Sequence, residues 1–474
     1  MTETLIDAVA LFQEAAQLAA STLERFADRE EPVVHYLEPE ALKQALDLEL
    51  PRQGRGLDEA MELAKKTLHY SVATGHPRFL NQLFGGYDPA GLLGEWITAL
   101  TNTSMYTYEA APVGTVVELA VLQKLADFVG FEDCEGVLAP GGSLANLMAA
   151  IAARHVHFPH VKQHGLRADD RPVLFCSAEA HYSIKRAAMV LGIGTDGCVQ
   201  VPVDEVGRMI PAELERLIEE AKAAGQNPFF VCATTGATVT GAFDPVDAIA
   251  DVTERHGLWL HIDGSYGGSA LLSEAHRHLL RGSDRADSMT WNPHKMMGLP
   301  LACAALLTKK RGTLTKSMAM NAEYLFHEDS EPEYDLGDRS LQCGRRVDAL
   351  KLWFSWQATG DEGFEQRIDD LFDQAESLRG LVRERKGFRL IRNQEGTNVC
   401  FRYLPHAHRN AVGEERVRRE HEATLRIRRE MAREGSFLVN YAQLDGAATF
   451  RAVASNLETT TDDLSAMLDR IEAE

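Results

Sequence analysis

The chain has 474 residues and a formal net charge of −21 at pH 7, long enough for a large core and more than one domain. With no compensating basic stripe, that charge argues against a nucleic-acid partner and means that an anionic substrate needs locally placed arginine or lysine. The seven cysteines (Cys134, Cys176, Cys198, Cys232, Cys303, Cys343 and Cys400) show no Cys-x-x-Cys pair and no metal-like spacing, so buried free thiols in a reducing compartment are expected, with no metal site.

At the start of the chain there is no basic stretch followed by an apolar one, and no apolar run approaches a membrane span. A cytoplasmic protein without a membrane partner is expected. Residues 4–28 carry Leu5, Val9, Phe12, Ala16, Ala19, Leu23 and Phe26 on one helical face. Pro39 opens a short helix through Leu46, and Leu57–Tyr70 reads as a third. Such striped helices with no nearby sheet must bury their stripe on a partner subunit or on the domain that follows.

His76 to Pro89 is rich in glycine, proline and aromatics, which predicts a packed loop. Helices are predicted at about 89–102 and 112–129. Ala139-Pro140-Gly141-Gly142-Ser143 then opens an alanine-rich helix to about Arg154. Glycines before a helix N-terminus let backbone N–H groups approach an anion, and Ser143 could add a hydroxyl.

From here short apolar runs alternate with helical stretches. The runs are Pro172–Ser177, Gly197–Pro202, Pro228–Thr234, Leu258–Asp263 and Ala302–Leu307; the helices include Pro211–Ala223 and Pro245–His256. The pattern predicts an α/β fold with a mostly parallel sheet covered on both faces, whose ligand binds beyond the carboxyl ends of the strands. Polar groups at those ends are His181, Ser183, Thr234, Thr235, Thr238 and Asp263. A dinucleotide fingerprint is missing.

Two of these stretches belong together chemically. Leu258 to Gly268 reads as a buried strand ending in Asp263 and a glycine-rich turn, and Asn292-Pro293-His294-Lys295 follows. A strand-end carboxylate and a buried lysine are what pyridoxal phosphate needs: the acid keeps the pyridine nitrogen protonated, and the amine forms the Schiff base.

Residues 320–345 break this pattern, and Leu325 to Asp338, polar and aperiodic, is a predicted mobile loop or lid. A helix runs from about Arg345 to Ala358, is interrupted at Gly360 and Gly363, and continues to about Arg385. Short strands at Phe388–Arg392, Asn398–Arg402, Phe437–Asn440 and Thr449–Ser455, with helices at 413–434 and 461–473, predict a smaller C-terminal α+β domain. The expected division is 1–70, 71–345 and 346–474.

Several separated motifs occur in one order: His76-Pro77-Arg78-Phe79, Asn81-Gln82-Leu83, Thr107-Tyr108-Glu109, Gly241-Ala242-Phe243-Asp244-Pro245, Asn292-Pro293-His294-Lys295 and Leu341-Gln342-Cys343-Gly344-Arg345. Over roughly residues 60 to 460 the chain resembles the group II pyridoxal-phosphate-dependent amino-acid decarboxylases, near the glutamate and cysteine sulfinate enzymes. The resemblance implies fold type I, with a mostly parallel seven-stranded sheet. It also implies a homodimer with active sites at the subunit interface and the N-terminal helices packed there.

By the same resemblance Lys295 would hold the cofactor and Asp263 its ring nitrogen. Gly142, Ser143, Asn292 and His294 would lie on the phosphate side, with Thr238 and Ser265 near the ring and His181 stacked on it. Tyr334, the only tyrosine of the predicted lid, would deliver the proton to Cα. Arg451 would bind a substrate carboxylate, with Gln82, Phe84 and Tyr106 beside the substrate. Phe84 and Tyr106 resemble the cysteine sulfinate enzyme and favour cysteine sulfinate, aspartate or cysteate over glutamate.

Three positions depart from the family pattern. Gly85 replaces a bulkier residue and would enlarge the pocket, Gly264-Ser265-Tyr266 stands where two alanines and an aromatic are usual, and Ala237 replaces a threonine. They leave room for a larger or non-acidic substrate. An oxidative decarboxylase and a non-catalytic pyridoxal phosphate binder are the other readings.

Overall fold

The computed structural model describes residues 3–320, 322, 333–392 and 395–473. Twelve strands are found among them. They are β1 (Phe79–Leu80), β2 (Glu135–Ala139), β3 (Pro172–Ser177), β4 (Cys198–Val201), β5 (Asn227–Thr234), β6 (Trp259–Gly264), β7 (Ser288–Trp291), β8 (Ala304–Thr308), β9 (Phe388–Leu390), β10 (Asn398–Tyr403), β11 (Leu438–Leu444) and β12 (Ala447–Val453). The chain divides into two compact units, Tyr87–Asp373 with Arg392–Asn398, and Met1–Gly86 with Gln374–Ile391 and Val399–Glu474.

The larger unit is built on a seven-stranded sheet in the order β2-β8-β7-β6-β5-β3-β4. The pairs β3–β4, β3–β5, β5–β6 and β6–β7 are parallel, and β8 runs antiparallel to both β2 and β7. Strands β6 and β7 are buried along their whole length, as expected of a sheet covered on both faces. The helix Gly142–His157 lays Ala145, Met148, Ala149, Ala152 and Ala153 into a core shared with Leu174, Phe230 and Leu306. Its small side chains let the helix sit close to the strands.

The smaller unit carries a second sheet in the order β1-β11-β12-β10-β9. Its core joins Leu378, Phe401, Ile427, Phe450 and Leu468. The helices Gly413–Glu434 and Thr461–Glu472 belong to it, the second closed by a capping box between Thr460 and Asp463.

These boundaries differ from the expected 1–70, 71–345 and 346–474. The N-terminal segment belongs with the C-terminal sheet because β1 pairs in parallel with β11. Val33 N–H also donates to Gly435 O at 2.8 Å, and Val33, Phe79 and Leu438 share one small core. The later boundary falls inside the helix Ala349–Glu384, beyond the break at Gly360, where φ is 67°. Residues 325–332 of the predicted lid lie outside the described residues.

Candidate active site

Strand register places the site. Thr234 at the end of β5 is paired with Asp263 near the end of β6, and Asp263 with Thr290 of β7. The polar residues after these strands therefore meet at one edge of the sheet, where they line a cavity of about 250 Å³. Gly142, Ser143, His181, Thr238, Asp263, Ser265, Asn292, His294 and Lys295 all face it, so every expected cofactor position is brought together. Asn146, Tyr182, Thr234, Gly236 and Tyr266 complete the lining.

Lys295 sits on a turn held by its own N–H donating to Asn292 O and by Gly298 N–H donating to Lys295 O, both at 3.0 Å. Burial pushes its ammonium down, and the charge of Asp263 opposes that shift. The lysine is thereby moved towards the free amine, the nucleophilic form.

Burial alone would push the Asp263 carboxyl up. Hydrogen bonding with Ser265, the charges of Lys295 and His261, and the Asn146 amide together hold it below the usual range. Ser265 N–H donates to Oδ1 at 3.1 Å and Asn146 Nδ2 to Oδ2 at 2.9 Å. Asp263 is thus a buried carboxylate, the state that keeps a facing ring nitrogen protonated.

Burial also lowers His181, and pushes His294 down to about 4. His294 is fixed against Cys303, its Nδ1 2.6 Å from the carbonyl oxygen and 3.0 Å from the amide nitrogen. Both rings are neutral near pH 7.

The opposite rim fits a phosphate. A Cβ at Gly142 would meet Ser265 Oγ at 2.5 Å and Asn292 Nδ2 at 2.8 Å, so only glycine leaves the start of the 16-residue helix Gly142–His157 open to the cavity. Backbone N–H groups, the Ser143 hydroxyl and the Asn292 amide form a donor set suited to a dianion at a helix N-terminus. Asn292 Oδ1 is buried with no partner among the described residues, which leaves that side chain a free polar group facing the cavity.

The other expected residues are not part of this lining. Tyr106 and Tyr334 belong to the larger unit but do not line this cavity. The Tyr334 ring packs on Tyr108 with centroids 5.5 Å apart, and Tyr106 O accepts from Gly337 N–H at 2.9 Å. Arg451, Gln82 and Phe84 belong to the smaller unit. Arg451 is buried on β12, and its Nη2 donates to Asn81 O at 2.7 Å.

Gly85 corrects an expectation. A side chain there would meet Ser455 Oγ at 2.8 Å and Asn456 Cβ at 3.6 Å. The missing side chain opens no pocket of its own; its space is taken by Ser455, and the glycine lets the loop lie against the end of β12.

Asn146 and His261 went unassigned in the sequence. One signal was available: Asn146 lies one turn beyond Gly142, an amide in an otherwise small and apolar run. Among the described residues, no His, Cys, Asp and Glu grouping suits a metal ion, and no helix is long and apolar enough to cross a membrane.

A lysine, a buried carboxylate and a phosphate-accepting helix start, gathered at the carboxyl edge of this sheet, define a pyridoxal phosphate enzyme of fold type I. The model of the pyridoxal-dependent decarboxylase conserved domain matches residues 39–404, and the chain belongs to that family. It is 46% identical to human cysteine sulfinic acid decarboxylase, over 93% of this chain and 90% of that protein. It is 44% identical to mouse acidic amino acid decarboxylase GADL1, over 94% and 82%. The crystal structure of mouse CSAD in apo form superimposes with a TM-score of 0.95 at 44% identity, covering 99% of this chain and 98% of that one. The chain is a pyridoxal-phosphate-dependent amino-acid decarboxylase.

Proposed function

We propose that this decarboxylase acts on a short acidic amino acid, with cysteine sulfinate, aspartate and cysteate ahead of glutamate. In this reading it works as a cytoplasmic homodimer with its sites at the subunit interface. The observation that carries the reaction is the pairing of Lys295 and Asp263 in one cavity opposite the Gly142–Ser143 helix start. The acidic substrate is supported by the relatives, named for cysteine sulfinic acid and acidic amino acids.

Pyridoxal phosphate supplies the electron sink for the pair left behind when CO₂ departs. Lys295 contributes an amine already shifted from its ammonium form. Asp263 holds a proton at the ring nitrogen. Gly142, Ser143, Asn292 and His294 would hold the phosphate side, with Thr238 and Ser265 near the ring. His181 flanks the ring as a neutral imidazole. Tyr334 is the proposed donor of the proton that Cα takes up, and Arg451 the guanidinium for a substrate carboxylate. A second copy of the chain is supported by the exposed stripe Leu93, Trp96 and Leu100 on the helix Pro89–Thr101, at helical spacing.

The test is release of CO₂ and amine from cysteine sulfinate, aspartate, cysteate and glutamate, with pyridoxal phosphate added. Turnover of the short acids above that of glutamate is expected, with Lys295→Ala at background. Arg451→Ala should raise KM for these acids while leaving cofactor absorbance intact. A holoprotein that absorbs normally and releases CO₂ from none of the four overturns the reading.

A further inference from the structure

Beneath the cavity the Asn146–Asp263 hydrogen bond continues into a longer line. Trp259 Nε1 donates to Ser288 Oγ at 2.8 Å, and Ser288 Oγ lies 2.8 Å from His261 Nδ1. His261 Nε2 lies 3.1 Å from Asn146 Oδ1. Asn146 Nδ2 then reaches both Asp263 Oδ2, at 2.9 Å, and Ser183 Oγ, at 3.0 Å. Ser183 Oγ is 2.9 Å from His181 Nδ1, and the Ser183 backbone N–H donates to the same nitrogen at 3.3 Å.

The protons along this line can be assigned. The Asp263 carboxylate only accepts, so Asn146 turns its Nδ2 to it and its Oδ1 to His261 Nε2, and His261 Nδ1 is left to accept the Ser288 hydroxyl. Burial pushes His261 down to about 4, so the ring is neutral and its one proton sits on Nε2, facing the Asn146 carbonyl. The Asn146 amide therefore presents both N–H groups outward. One goes to the carboxylate and one to Ser183 Oγ, which in turn donates to His181 Nδ1. With two donors on Nδ1, His181 carries its proton on Nε2. Every proton points towards the cavity, and Asn146, Ser183 and His261 are all buried.

We propose that Asn146 is the positioning residue of this site, a single amide that fixes the Asp263 carboxylate and, through Ser183, the tautomer of His181. The proposal rests on the pyridoxal phosphate assignment. His261 holds the Asn146 carbonyl, and so sets which way the amide faces. A single substitution at Asn146 thus disturbs both the group at the ring nitrogen and the imidazole beside the ring, which substitution at either end does not.

The test uses apoprotein titrated with pyridoxal phosphate, followed by fluorescence quenching and by the absorbance bands of the bound cofactor. Asn146→Leu, similar in volume and without the amide, should weaken binding about 10- to 100-fold, the range for hydrogen bonds to a charged group. It should also change the ratio of the bands at fixed pH. His261→Phe should shift both readouts the same way by less, and His261→Gln, whose amide can still donate to Asn146 Oδ1, should restore them.

A folded Asn146→Leu protein with wild-type affinity and band ratio overturns the proposal. Should Asn146→Leu fail to fold, the His261 pair decides: equal affinities and spectra in His261→Phe and His261→Gln overturn it. A wild-type chain that binds no pyridoxal phosphate would sink the cofactor assignment instead.

Discussion

Glu118 with Arg345 and Asp263 with Lys295 are two acid–cation pairs of the larger unit built to opposite ends. Glu118 and Arg345 form a fork, Nη1 to Oε2 at 2.6 Å and Nη2 to Oε1 at 2.8 Å, and Glu118 Oε1 also accepts Leu138 N–H at 3.1 Å. Asp263 and Lys295 act on each other through their charges, while Asp263 takes its hydrogen bonds from Ser265 and Asn146. The first pair is closed on itself and fixes the chain around Arg345. The second leaves an amine available to a ligand. A guanidinium closed in a fork, against an amine that faces the cavity with its ammonium form disfavoured by burial, is what distinguishes a structural pair from a reactive one.

The comparison breaks most sharply at Glu118. Glu118→Ala strands the Arg345 guanidinium and should lower stability by about 3–5 kcal/mol, the usual loss for one half of a buried pair; denaturant unfolding measures it. Asp263→Asn should do the reverse, unfolding near the wild-type midpoint while kcat falls about 10²- to 10³-fold, the scale for one preorganised electrostatic partner. Equal stability losses in both variants would erase the distinction.

Acid sharpens the contrast at the site. His294 and His261 are each pushed down to about 4 by burial, so between that pH and the ordinary histidine range the unfolded chain binds more protons than the folded one. Their stability contribution is present above about pH 6.5 and is lost as pH falls towards 4. Unfolding midpoints across that range should decline, and the decline should be shallower in His294→Gln. The smallest effect is expected at Gly85→Ala, an overpacking against Ser455 Oγ of about 1–2 kcal/mol. Ser455→Gly in the same chain should recover most of it.

Much of this was legible before the fold. Pro172–Ser177, Pro211–Ala223 and Leu57–Tyr70 have the predicted limits because proline and apolar runs mark their ends or extent. Strands β2 and β7 were not, because they look wrong by composition. Glu135 in β2 is buried because Leu314 N–H and the Thr315 hydroxyl donate to it, both at 2.6 Å. Ser288 in β7 is buried because Trp259 and His261 share it. Polar residues satisfied by partners far along the chain carry no local signal of burial. Asn146 was missed for the same reason, since its three partners, Asp263, Ser183 and His261, come from other elements. Lys295 and Asp263 were readable because their chemistry demands those side chains on a turn and at a strand end.

Six of the seven cysteines are buried and free, and Cys343 is exposed. Desolvation pushes the Cys134 thiol up to about 12 and those of Cys232 and Cys303 up as well. A maleimide dye offered to the folded chain should therefore couple at one address, two residues from the Arg345 guanidinium. The wild-type sequence thus carries its own fluorescent handle, and its labelling rate would report local opening beside the Glu118 fork without any engineered thiol.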